Sequence, residues 1–152
     1  MARFSVLPVA LLLALPLASA TAQQAGTAPV TVTTTAVSRV TLFRILPGQG
    51  AAHNQDILDH LIPIYEEYKK AGIIVSYSFF GKATTESPDD WNFGTMLTYP
   101  NYAGLDNLGS RTNAITLKHY GTAERRTLVG AGRNAIRTVV SSSLVTTQSF
   151  SR

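Results

Sequence analysis

The sequence predicts a single α+β domain, on three observations. Runs of β-branched and aromatic residues alternate with stretches whose apolar residues recur at helical spacing. Proline and glycine punctuate the borders, at Pro47-Gly48, Gly72, Pro88, Pro100 and Gly121. Hydrophobic residues make up 45% of the chain against 14% charged, a balance that builds a core and excludes a disordered chain.

The chain begins with a basic residue, Arg3, an apolar run over residues 6–18, and small residues at Ala18-Ser19-Ala20 and Ala20-Thr21-Ala22. That run is shorter than the roughly 20 apolar residues a bilayer requires, and Pro8 and Pro16 interrupt it. Residues 1–22 therefore read as a cleaved signal peptide. Export to the periplasm or beyond follows, with no stable membrane anchor after cleavage. Residues 23–36, rich in Thr, Ala and Gln, read as a flexible leader, and residues 37–150 as the folded domain. There is no cysteine, which excludes disulfides, thiolate metal sites and a cysteine nucleophile.

Residues 37–46 (VSRVTLFRIL) form a first strand, ended by Pro47-Gly48. Residues 51–71 form a helix, with Ile57, Leu58, Leu61, Ile62, Tyr65 and Tyr68 on one broad face and Gly72 as its left-handed cap. Residues 73–82 and 91–100 are the next strands, joined by a turn at Ser87-Pro88-Asp89-Asp90. Asn101 caps a short helix through residue 108, and residues 110–120 and 122–137 are further helix, broken at Gly121. Residues 138–150 (TVVSSSLVTTQSF) close the chain as a strand. The order is β-α-β-β-α-β with a split second helical region, which is the ferredoxin-like motif.

Helices cover one face of such a sheet. Here the other face is also partly apolar, more so than water tolerates, so the expected remedy is a second copy packed sheet to sheet in a closed barrel. The first strand, LIPIYEEYKKAG, IIVSYSFFG, the acidic turn before Trp91 and TYPNYAGLDNL together resemble the dimeric α/β-barrel superfamily. Within it they resemble small exported proteins of unassigned function near the antibiotic-biosynthesis-monooxygenase and NIPSNAP-like groups. The resemblance spans residues 37–150 and implies a homodimer. Superfamily members include cofactor-free oxygenases, haem-degrading enzymes, chlorite dismutases and stress-response proteins, so the fold does not choose the function.

Candidate site residues follow from the faces. His53, Asp56, His60 and Glu67 form a stripe along the helix, but His53 and His60 lie about 10 Å apart along its axis, too far for one ion. The stripe reads as a polar helix border with a local Asp56–His60 pair, and neither metal nor cofactor is expected. His60 is the one catalytic candidate, as a general base at the barrel rim. Pro63 removes the helical bond to Asp59 and is expected to bend the helix. Arg44 alternates with Leu42 and Leu46, so its charge points into an apolar face where it can meet a carboxylate or phenolate. Tyr77, Phe79, Trp91 and Phe93 are the aromatic lining of the same expected cavity.

The GAGRNA stretch at residues 130–135 lacks both a preceding strand and a following acid, so it is no dinucleotide site. Arg126, Arg133 and Arg137 share a helical face that reads as solvated, without the larger patch of a nucleic-acid reader. The function expected is that of an exported small dimer binding a small apolar or anionic ligand in its barrel. The alternatives are a cofactor-free monooxygenase-like enzyme and, behind it, a haem-binding protein.

Overall fold

The computed structural model describes residues 30–84, 87 and 90–151; the expected signal peptide and most of the leader lie outside them, as does Pro88 of the turn. Four strands and four helices follow in order: β1 (Thr31–Ile45), α1 (Gly50–Asp56), α2 (Ile62–Lys70), β2 (Ser76–Gly81), β3 (Phe93–Tyr99), α3 (Leu108–Tyr120), α4 (Ala123–Ile136) and β4 (Arg137–Ser151). The strands form one antiparallel sheet of order β2-β3-β1-β4. This is an α+β architecture, compatible with a ferredoxin-like arrangement.

β1 starts at Thr31, six residues earlier than expected and inside the stretch read as leader. Its Val- and Thr-rich opening has strand propensity, and it finds a partner: Thr31 pairs with Ser151 and Ile45 with Arg137, so β1 and β4 run together along their full length. β3 pairs only with the Val37–Phe43 part of β1.

Alternation gives the sheet two faces. Val37, Arg39, Thr41 and Phe43 point one way, together with their register partners Tyr99, Leu97, Thr95 and Phe93. The helices lie on this side. The Tyr65 ring of α2 stacks at 6.0 Å from Phe79 and meets Tyr77 at 5.3 Å, while His53 of α1 stands edge-on to Phe93 at 4.5 Å. Ser38, Val40, Leu42 and Arg44 point the other way, with Phe80, Gly94, Met96 and Val145. Phe80 lies so close over Gly94 that a Cβ there would come within 2.3 Å of the ring. Trp91 packs edge-to-face on Phe80 at 5.8 Å, with Lys82 above its ring. Trp91 precedes the strand, so it escapes the alternation that would have placed it beside Phe93.

Pro63 is absorbed without losing the helix. Between α1 and α2 the backbone forms a π-helical turn, Ile57–Leu61, in which the Ile62 N–H donates to the Ile57 carbonyl. The extra residue changes which side chains face the sheet. Ile57, Leu61 and Ile64 are buried, whereas Leu58, expected on the apolar face, is 60% exposed. The second strand also starts later than expected. Ile73 and Ile74 still donate to the Tyr68 carbonyl and are buried in the core, while Val75 is exposed. Gly72 takes the expected left-handed conformation, φ +65°. Asn101 caps only a 3-10 turn (Tyr102–Leu105), and Thr122 caps α4 by accepting from the Arg125 N–H.

The helix phase is testable. Ile64→Ala is expected to cost about 2–4 kcal/mol in urea denaturation, and Leu58→Ala less than about 0.5 kcal/mol. The reverse ranking would restore the uninterrupted helical period.

Candidate functional site

Arg133 lies one turn before the end of α4 and points at α1. Its Nε and Nη2 donate to the two Asp56 carboxylate oxygens at 2.6 and 2.8 Å, and Nη2 also donates to the Tyr120 hydroxyl at 3.2 Å. Burial opposes the Arg133 charge, but the bonds with Asp56 and Tyr120 outweigh it and hold its pKa above the ordinary value.

Four residues on, Arg137 opens β4 and lays its guanidinium over the Phe43 ring, 4.1 Å from Cζ to centroid. Burial, then repulsion from Arg133, lowers its pKa to about 10. His53 is 1% exposed against Phe93, the register partner of Phe43, so the imidazole and the Arg137 guanidinium occupy neighbouring rings. Neither His53 nitrogen, nor Nη1 of Arg137, has a hydrogen-bond partner among the described residues. Burial, then Arg137, lowers the His53 pKa to about 4, against an upward pull from Asp56. Burial likewise raises the neighbouring Tyr65 to about 12.

Over this centre, between α2, α3 and α4, is a cleft of about 320 Å³ walled by Leu61, Ile64, Tyr65, Tyr120, Arg126 and Arg133, among others. Arg126 donates from Nη1 to the Asn113 side chain at 2.7 Å. No carboxylate among the described residues lines the cleft. At the centre Arg133 and Arg137 face the Asp56 carboxylate, and Arg126 adds its charge to the wall of the cleft. Arrangements of this kind hold anions, bidentately at a guanidinium and flat against a phenol ring.

His60 sits at the edge of this centre. Its Nδ1 is 2.9 Å from Nε2 of His119, and its ring is 5.2 Å from that of Tyr120. Burial, then His60, lowers the His119 pKa.

Several expectations change here. The helix stripe is no polar border: His53 is buried beneath it, Asp56 pairs with Arg133 instead of His60, and only Glu67 is exposed, paired with Lys70. The Arg126/Arg133/Arg137 face is not solvated, because Arg133 is spent on a buried ion pair and Arg137 belongs to the strand. The expected lining divides between two faces. Tyr77, Phe79 and Phe93 lie under the helices, whereas Arg44 and Trp91 lie on the opposite side, so the five do not converge within one chain. Periodicity missed Tyr120, Arg133 and Arg137 as site residues because their partners stand far off in sequence. The available signal was a charge at Arg137, where a helical pattern turns into a β-branched one.

An α+β chain with a cationic cleft among its helices is the class this geometry defines. No family model and no curated protein matches the chain. Among solved structures, the crystal structure of HapK from Hahella chejuensis is similar at 8% identity and a TM-score of 0.48, over 72% of this chain and 90% of that one.

Two measurements check the centre. His53 has a folded pKa of about 4 against 6.5 ordinarily, so the unfolded chain takes up its proton first. Its contribution is whole above pH 6.5 and declines as the pH falls toward 4, by on the order of 2–3 kcal/mol. Denaturation at pH 7, 5.5 and 4 is expected to show this loss, and His53→Gln to remove that part of it. Asp56→Asn, which strips Arg133 of its counter-charge, is expected to cost about 3 kcal/mol, with much of it recovered in the Asp56→Leu/Arg133→Met pair.

Proposed function

We propose that this protein is exported and acts as a homodimer of ferredoxin-like, barrel-forming subunits that bind a small organic anion in the cleft among α2, α3 and α4. The excess of guanidinium over carboxylate around the 320 Å³ cleft carries this reading. Among the described residues Arg126 bonds only the uncharged Asn113 and Thr116, so an anion arriving beside it and the tyrosines supplies a counter-charge. The aromatic walls suit a flat or apolar ligand body. The signal-like residues 1–22 support export. The half-buried apolar residues Val40, Leu42, Phe80 and Met96, on the sheet face away from the helices, support pairing with a second copy.

An oxygenase-like reaction has one observation in its favour. The His53 imidazole is neutral at physiological pH, and neither of its nitrogens has a hydrogen-bond partner among the described residues. A pKa near 4 makes it a weak proton acceptor, so binding is the reading taken forward.

Native mass spectrometry of protein purified from its own host tests the proposal. The expected species is a dimer retaining a small acid. Arg126→Gln, which spares the Arg133–Asp56 pair, is expected to weaken retention at least about tenfold with little change in thermal stability. A stable monomer would refute the barrel, and equal retention by Arg126→Gln would refute the cleft.

A further inference from the structure

A second cleft lies on the helix-facing side of the sheet, about 13 Å along β1 from Phe43 at the usual strand rise. It measures about 330 Å³ and is formed by Arg39, Ile73, Ile74, Leu97, Tyr99 and the first turn of α3, with Tyr68 closing it from α2. Among the described residues, Arg39 is its one charged lining residue. The register partners of Arg39 on the two flanking strands are Leu97 and Leu144, so its charge stands among hydrocarbon. Its Nε is sealed from solvent and meets no hydrogen-bond partner among the described residues. The buried Tyr99 phenol lines the same cleft; burial raises the Tyr99 pKa while the nearby Arg39 charge pulls it down.

The end of α3 that borders the cleft adds to the field. Its N-cap, Asn107, has φ 52° and supplies no side-chain cap, so the first-turn N–H groups at Leu108 and Gly109 are left without an intrahelical acceptor. Ile73, Ile74, Leu97 and Leu108 give it aliphatic walls, and Thr112 of α3 adds one hydroxyl-bearing side chain.

We propose that this cleft binds a small monocarboxylic acid with an apolar body. The carboxylate sits on the Arg39 fork beside the Tyr99 hydroxyl, facing the start of α3, and the hydrocarbon lies against Ile73, Leu97 and Leu108. One guanidinium matches one carboxylate, and no second cation lines the cleft for a more highly charged group. The site is separate from the Arg126/Arg133 cleft and does not depend on it.

Octanoate titrated into the mature chain, followed by calorimetry and by chemical-shift changes, tests the assignment, with octanamide as the uncharged counterpart. Saturable octanoate binding is expected, with shifts at Ile73, Leu97 and Leu108. Octanamide, and octanoate with Arg39→Gln, are each expected to bind at least about tenfold more weakly. Leu108→Glu, which brings an acid to the mouth of the cleft and leaves Arg39 in place, is expected to do the same and serves if Arg39→Gln fails to fold. The assignment is overturned by no saturable binding to the wild type, by equal affinity in whichever of these variants folds, or by shifts confined to Tyr65 and Tyr120.

Discussion

Arg133 and Asp56 meet from opposite ends of the domain in a two-bond fork, and that fork sets α4 against α1. Removing two ions from water costs several kcal/mol each, which only near-ideal geometry and further hydrogen bonds return; the Tyr120 hydroxyl supplies one such bond. The pair therefore contributes orientation more than net stability. Once Arg133 faces α1, the chain leaves α4 so that Arg137 opens β4 opposite Ile45 and reaches Phe43. Asp56 can neutralise only one of the two guanidinium groups. The surplus charge, and with it the character of the centre, follows from where α4 is pinned.

Much of the fold was legible because it rests on local rules. Turn chemistry at Pro47-Gly48 and Gly72, the break at Gly121, and the strand composition of residues 138–150 all correspond to element borders in the structure. Pro63 shows where local rules stop. Its missing N–H was visible in the sequence, but the π turn that accommodates it was not, and that turn exchanges Leu58 for Ile64 at the core. The start of β1 was hidden for a different reason: Thr- and Val-rich chain becomes strand only where a partner such as β4 lies alongside it.

The candidate site was less legible, and the two arginines of β1 show why. Arg39 and Arg44 differ by an odd number of positions, so alternation places them on opposite faces. It cannot say which face the helices take when both carry apolar residues, Val37 and Phe43 on one, Val40 and Leu42 on the other. The arginine under the helices is Arg39, and Arg44 belongs to the face turned away from them. His60 could be named from the sequence but its setting could not, since His119 is 59 positions away and only the approach of α3 brings the rings together.

Both clefts open in the helix layer, one among α2, α3 and α4 and the other between helices and sheet, and Tyr68 lines each of them. A cysteine-free chain has no covalent staple to offset cations buried in that layer. A bound anion can offset them by mass action, adding about 2.7 kcal/mol at a hundred times its dissociation constant. In the proposed complex this gain is tied to acid stability. An anion among the arginines relieves the positive field that helps keep His53 neutral, so the His53 pKa moves back toward its ordinary value. The difference between folded and unfolded proton affinities then narrows, and occupancy of the cleft and tolerance of low pH rise together.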